Sequence, residues 1–289
     1  MTAPATLIRR PRIAPVWRRP LAIVGILFVS FWFITMIIVP FLPLADPLAQ
    51  DFTPLSPPSG THPFGTDILG RDVLSRTLFG SRATLPFAIL LVIISLILGS
   101  LVGAIAGYFG GVIDEIIMRI ADLVFAFPTI VLAMVVAAAL GPGITNAVIA
   151  LALISWPNYA RVIRSLVLSA RNQEYVVAGR LLGAGPLSSL RRDILPNVAS
   201  PMLVLAMLDL GSQILLLSGL SFLGLGAVPP AAEWGSMVGD GVQQFSNWWL
   251  AAFPGLAILT VVVGFNFIGD TLRDSLDPRS ANAVTQVNA

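Results

Sequence analysis

The side chains able to do chemistry in this chain are few, and their spacing favours positioning over catalysis. There is one histidine, His62, and no cysteine among 289 residues. Without cysteine there is no thiol nucleophile, disulfide or iron–sulfur ligand, and one histidine cannot build a multi-histidine metal site. All 17 basic residues are arginine, so no lysine is available for a phosphate-binding loop and no ATPase site of that kind resides here. A serine–histidine pair would have to use His62, which lies in a proline-rich stretch. Two interrupted charge patches remain, Asp67/Arg71/Asp72 and Asp270/Arg273/Asp274/Asp277, and neither sets a nucleophile beside a base. The longest polar interruption carries Arg161, Arg164, Arg171, Arg180, Arg191 and Arg192, and within it stand Val177-Ala178-Gly179, Gly183 and Leu195-Pro196. That stretch is the part best suited to touch something soluble.

The local elements of this stretch follow from its residue types. From about Arg171 to Leu182 the residues are good helix formers, and Gly183 can take the left-handed conformation that closes a helix. Pro186 suits the first position of a second short helix, and Leu195-Pro196 is expected to precede re-entry into apolar sequence. Two short helices joined at a glycine make a stiff, protruding elbow. Glu174, Arg180, Arg191 and Arg192 would give it a polar rim, while Ala178 and Gly179 would let another surface approach closely.

Everything around the elbow is apolar. Hydrophobic residues make up 56% and charged residues 11%, with mean hydropathy +0.87, against roughly 25% charged in soluble domains. A bilayer core needs about 20 apolar residues per helix, and most of the charge-free runs are that long. Gly141-Pro142-Gly143 splits the longest run in two. The expected fold is therefore an all-α integral membrane protein with six transmembrane helices, near Leu21–Leu42, Leu85–Tyr108, Leu123–Leu140, Ile144–Ala160, Val198–Leu220 and Trp248–Gly269. With six spans, fourteen arginines fall on one side, and Arg71, Arg76 and Arg82 on the other. That bias puts both termini in the cytoplasm and makes the basic balance an orientation signal, not a nucleic-acid footprint. Arg9-Arg10 precede a span too long for a cleaved signal, so this segment reads as a retained anchor. The division is a basic segment 1–20, a transmembrane region 21–270 with an outer loop 44–84, a cytoplasmic loop 161–197 and an outer loop 221–247, and a tail 271–289.

Two intramembrane features stand out. Ser95, Gly99, Gly103 and Gly107 lie four apart, a small-residue stripe that lets another helix approach closely, expected within this chain with a second transmembrane subunit as the alternative. Asp209 interrupts the fifth span, where a charge costs about 3 kcal/mol or more. It is expected either to face a pathway or to bond to a neighbouring helix, and a protonated form is also open. In the first outer loop, Asp67, Gly70, Arg71 and Asp72 read as a local ion pair stapling a turn-rich segment, of the exposed kind that contributes little. Val73–Phe79 could start a short interfacial helix there.

The elbow resembles the cytoplasmic "EAA" loop of binding-protein-dependent ABC importers, Glu-Ala-Ala, three residues, Gly, nine residues, Ile, one residue, Leu-Pro. Aligned on Gly183 and Leu195-Pro196 the spacing fits without a gap, with Val177 for Glu, Gly179 for the second Ala and Asp193 for Ile. The string His62–Arg76 is similar to the first outer loop of the dipeptide/oligopeptide/nickel class of permease subunits. Tyr108-Phe109-Gly110-Gly111, Asp114, Met118-Arg119, Asp122, Ala126-Phe127-Pro128, Leu220–Gly226, Pro229-Pro230, Trp234-Gly235 and the end from Asp270 to Arg279 match it too.

The resemblance implies a type I permease subunit of the bacterial cytoplasmic membrane, without catalysis of its own and without a bound cofactor, in a complex whose partner subunits use ATP and Mg. Its partners would be a second homologous permease, two ATP-binding subunits or domains, an extracytoplasmic substrate-binding protein and the lipid bilayer, with no nucleic acid. The elbow, from Glu174 through Val177, Ala178, Gly179, Arg180 and Gly183 to Leu195-Pro196, would be the coupling helix docking on the ATPase. Di- or oligopeptides are the expected substrates, with nickel chelates, glutathione or haem as alternatives in the same family. A six-span secondary transporter is the competing class, but it should show paired half-sequences or several intramembrane charges. An integral-membrane enzyme would need a clustered set of reactive groups.

Overall fold

The computed structural model describes residues 16–276, apart from the side chains of Arg180 and Leu187. Ten α-helices follow in order: α1 Pro20–Ile38, α2 Val73–Phe109, α3 Gly111–Phe125, α4 Thr129–Leu140, α5 Ile144–Ala170, α6 Glu174–Leu181, α7 Pro186–Ser189, α8 Leu195–Phe222, α9 Trp234–Val242 and α10 Trp249–Leu276. Among the described residues there is no strand, only an isolated bridge between Thr66 and Asp72.

The centre of the bundle is the pair α2 and α5, which run parallel in close contact. The close approach follows from missing side chains on α2. A Cβ at Gly99 would meet the Trp156 carbonyl and the Tyr159 Cβ at 2.5 Å, one at Gly107 would meet the Arg164 carbonyl at 2.8 Å, and Gly103 lies against the Ala160 backbone. The small-residue stripe thus packs inside this chain. Ser95, on the same face, is fully buried, and its hydroxyl has no hydrogen-bond partner among the described residues. Around this pair α8, α10 and α1 complete one core, in which Leu85, Leu91, Leu151, Ile214 and Leu217 are sealed from the surface. Trp32 of α1 meets Trp234 of α9 edge-on at 4.7 Å between ring centres.

Among the described residues, length and apolarity qualify four stretches to cross a membrane, Pro20–Phe41, Val73–Phe109, Leu190–Phe222 and Trp249–Leu276, and a bent pair, α3 with α4, adds a fifth if counted as one span. Two expectations need correction. The third span does not begin at Leu123: Leu123–Phe125 end α3, which meets α4 at 92° across Ala126-Phe127-Pro128, because Pro128 cannot continue a helix and pushes Phe127 out of the helical region. The helix foreseen at Val73–Phe79 is not short or separate. It is the first turns of α2, started by the Asp72 carboxylate accepting from the Ser75 amide and running unbroken to Phe109. Likewise the loop 161–197 contains the last turns of α5, and the loop 221–247 contains α9.

The bundle has two unlike ends. One gathers the loop before α2, the turn after α8 and α9. The other gathers the start of α1, the ends of α2, α5 and α10, and the elbow made by α6 and α7.

Candidate functional site

At the elbow end, α6 closes in a left-handed cap. Gly183 has φ +92°, and the Ala184 amide donates back to the Gly179 carbonyl at 3.0 Å, the six-to-one bond of a Schellman motif. Nothing lies within 4 Å of a Cβ built on Gly183, so glycine is required there by backbone conformation and not by space. Pro186 opens α7, a π-helical turn spans Leu190–Ile194, and Leu195 and Pro196 form the first turn of α8. Leu195-Pro196 therefore starts a helix instead of preceding one.

The elbow is anchored from beneath. Val176 and Ile194 are fully buried in a small cluster with Ile163, Val167 and Val198, and the Asn197 amide donates to the Tyr175 hydroxyl at 2.9 Å. Its outer surface carries Glu174, Val177, Ala178 and Pro196, all exposed, with Gly179 half-buried. The Arg180 side chain lies outside the described residues. The most prominent groups are ones the residue pattern did not single out. Leu181 is 84% and Leu182 90% exposed, flanking the glycine cap, with Arg191 and Arg192 exposed nearby in the chain. Two adjacent leucines before a capping glycine are the signal that could have found this tip.

Five of the six arginines of this stretch, all but Arg180, divide into two sets. Arg164 forms a two-point ion pair with Asp114. Arg161 pairs with Asp122 at 2.5 Å and lies 4.1 Å over the Phe125 ring. Arg171 donates to the Gly107 and Tyr108 carbonyls at 2.8 and 3.2 Å, capping the end of α2. These three tie α5 to its neighbours. Arg191 and Arg192 make no ion pair among the described residues.

Midway along the bundle Asp209 joins α8 to α5. Its Oδ2 accepts from the Tyr159 hydroxyl at 2.6 Å and from the Gln213 amide at 3.0 Å, and the same amide donates to the Ser155 hydroxyl at 3.2 Å. The other carboxylate oxygen takes no hydrogen bond among the described residues, and Asp209 is half-buried. The bond to a neighbouring helix is therefore made, through one of the two carboxylate oxygens.

At the loop-rich end the charge patch is buried, not exposed. Asp67, Arg71 and Asp72 are 8%, 4% and 6% exposed. The Asp67 carboxylate accepts from the Leu69 and Arg71 amides at 2.9 Å and from the Arg71 Nε at 2.6 Å, with the Arg76 Nε at 3.5 Å. Gly70 makes the turn possible, with φ +74° and the Phe52 carbonyl against it. Asp72 caps α2 and lies 3.1 Å from His62 Nδ1. The reason for burial is the element the sequence concealed, α9, since Arg76 also donates to the Pro230 and Ala231 carbonyls just before it. Glu233 caps α9, fully buried, accepting from the Ser236 amide at 2.9 Å and the Thr84 hydroxyl at 3.2 Å. Burial pushes its carboxyl above the ordinary carboxylate range. An acid three residues ahead of Ser236 is a capping signal that could have revealed this helix.

No group of three or more histidine, cysteine or carboxylate side chains able to hold a metal occurs among the described residues. The assembled geometry is a buried mouth, a polar crosslink in mid-bundle and a protruding elbow. Over residues 99–282, which include the last turns of α2 and the whole elbow, the sequence matches the family described as binding-protein-dependent transport system inner membrane component. The chain belongs to this family. It is 44% identical over 263 residues, 90% of this chain and 88% of the relative, to the probable D,D-dipeptide transport system permease protein DdpC of Escherichia coli. It is 39% identical to the dipeptide transport system permease protein DppC of Haemophilus influenzae, covering 89% and 90% of the two chains. The nickel transport system permease protein NikC of Escherichia coli is 42% identical, with 81% and 85% covered. The inner membrane component is a permease, a multi-pass membrane protein of an ABC transporter.

Proposed function

We propose that this permease forms half of the pathway of an ATP-driven importer of di- or oligopeptides and takes its driving motion through the elbow. The observation that carries the reading is the exposed Leu181-Leu182 tip on a glycine-capped, well-anchored helix. A surface of that kind loses free energy in water unless another protein covers it. In this reading a separate ATPase, using ATP and Mg, grips the elbow around Glu174–Gly183. Val176 and Ile194 then pass its movement to α5 and α8 as a rigid-body shift, because packed cores do not deform continuously.

The remaining span in a six-span topology is α5, which is 27 residues long but too polar to qualify by apolarity alone. Its Ser155 and Tyr159 side chains face protein, bonded to Gln213 and Asp209 of α8, and a helix enclosed by others need not be apolar all round. Both termini then lie in the cytoplasm of a bacterial cell, and the loop-rich end faces outward toward a substrate-binding protein. Asp209 and its open oxygen would line the pathway completed by a second, homologous permease.

Peptide import is favoured by the dipeptide transport named for two of the relatives above, and the relative named for nickel supports a nickel chelate as the second reading. The chain contains no cysteine, so single cysteines report cleanly. Ser59→Cys is expected to label from outside intact cells and Leu182→Cys only from inside. In the assembled complex Leu182→Cys should crosslink to the ATPase and lose access to reagent. Labelling of Leu182→Cys that is equal with and without the ATPase overturns the coupling role, and labelling of both cysteines from outside overturns the topology.

A further inference from the structure

The loop-rich end holds a cavity of about 420 Å³ between the first loop, the turn after α8, and α9. Its volume is in the range of small-ligand sites, about 300–1,000 Å³. Two charged groups on its wall keep polar atoms that make no hydrogen bond among the described residues. Arg71 is 4% exposed, and Asp67 engages only its Nε. Neither terminal nitrogen of its guanidinium makes a hydrogen bond among the described residues, and neither is a sealed, unsatisfied atom. These nitrogens are therefore donors left available in a side chain that is itself almost wholly enclosed. Asp240, also on the wall, is exposed and makes no hydrogen bond or ion pair among the described residues, with Arg71 or any other group. Arg76, by contrast, is taken up by the Pro47, Pro230 and Ala231 carbonyls. Leu69, Leu223, Val228 and Pro229 add apolar surface to the same wall.

A fixed guanidinium fork suits a carboxylate, and the Asp240 carboxylate, near Arg71 and Arg76 but bonded to neither, suits an ammonium. We propose that this cavity is a receiving site for a zwitterionic peptide of two or three residues, with its terminal carboxylate on Arg71 and its terminal ammonium on Asp240. The inference rests on the peptide reading above and adds a place where the substrate sits before it enters the bundle. Arg71 keeps Asp67 as a fixed neighbour, so its terminal nitrogens are held in place before a ligand arrives. The apolar wall takes side chains without selecting among them.

The test uses the complete complex in lipid nanodiscs, with Val228→Cys in this chain as a reporter read by mass spectrometry. Gln243→Cys is the substitute should the first variant fail to assemble. L-Alanyl-L-alanine is expected to slow thiol labelling in the cavity several-fold, while the same peptide acetylated at one end and amidated at the other leaves labelling unchanged. Ser59→Cys, outside the cavity, should be labelled equally in all cases. Adding Asp240→Asn, which removes one charge-assisted contact at an exposed side chain, should weaken protection about tenfold. Uptake of the same peptide is measured in parallel. Uptake without protection, or protection unaltered by Asp240→Asn or by blocking the peptide ends, overturns the receiving site while leaving peptide import intact. Absence of both uptake and protection overturns the two together.

Discussion

The two ends of the bundle treat charge and apolar surface in opposite ways. At the loop-rich end Asp67, Arg71, Asp72 and Arg76 are nearly sealed from solvent, and one carboxylate, that of Asp67, holds two backbone amides and two guanidinium groups. At the elbow end Arg191 and Arg192 stand exposed, and Leu181 and Leu182 project into open space. Burying an ion costs several kcal/mol unless it is well paired, and Asp67 meets both of its countercharges within this chain. Exposing a leucine forgoes about 1.5–3 kcal/mol of burial, and in the reading proposed above the elbow recovers it against a partner. The charges around Asp67 are held from inside, and the elbow is held out.

The largest expected effect tests the loop-rich end. Asp67→Ala leaves two buried guanidinium groups without their countercharge, and removing one member of a buried pair typically costs about 3–5 kcal/mol. The complex should assemble poorly or lose more than half its yield, read by size-exclusion chromatography of the detergent-solubilised complex. Near wild-type yield and thermal stability would break the contrast between the ends. Gly103→Leu comes next. The new side chain has no room against the Ala160 backbone, and overpacking of this kind costs about 1–3 kcal/mol or more. Leu101→Val, at an exposed position on the same helix, should cost far less, and equal thermal stability of the two variants would remove the packing role of the stripe.

The same contrast explains what was legible in the sequence. Spans announce themselves through composition, so five of the six expected segments lie inside long helices at nearly their expected places. The elbow was legible because Gly183 and Pro186 act locally, each fixing a backbone conformation by its own chemistry. The buried mouth was not, because Asp67 and Arg71 look like any surface pair until α9 folds over them. That packing joins residues far apart in the chain, such as Arg76 with Pro230 and Thr84 with Glu233. The break between α3 and α4 was hidden for another reason. The apolar run crosses Pro128 without a change of composition, while the ion pairs from α5 to Asp114 and Asp122 help to fix where α3 lies.

Smaller effects on stability, with larger ones on function, are expected at the elbow. A valine at residue 183 must adopt a positive φ, which costs a β-branched residue roughly 1–2 kcal/mol, whereas Ala178→Ser should cost almost nothing. Gly183→Val should therefore loosen the cap but leave the helices inserted, while substrate-stimulated ATP hydrolysis in the reconstituted complex falls several-fold. Leu182→Asp should change thermal stability by no more than about 0.5 kcal/mol, as is usual for surface positions, and yet reduce uptake at least as much. If Leu182→Asp transports like wild type, the tip is not the partner-facing surface, and the contrast between the two ends fails.

The smallest effect sharpens the picture of the mouth. Glu233 is fully buried, and its proton affinity is raised by that burial against the pull of the Ser236 amide and the Thr84 hydroxyl. A carboxyl whose folded pKa lies above its unfolded value binds more protons in the folded state, so stability falls as pH rises through the interval between the two. Glu233→Gln removes this titration and keeps a carbonyl oxygen able to accept from Ser236. As the pH rises from the ordinary carboxylate range, the wild-type complex should lose thermal stability more steeply than the variant. At the alkaline end Glu233→Gln should equal or exceed the wild type, because the cost of burying the ionised form is gone. The measurement is a pair of melting curves across that rise in pH in one detergent. Parallel curves would mean that Glu233 is as easily ionised in the folded chain as in the unfolded one, and that the mouth is wetter than its burial implies.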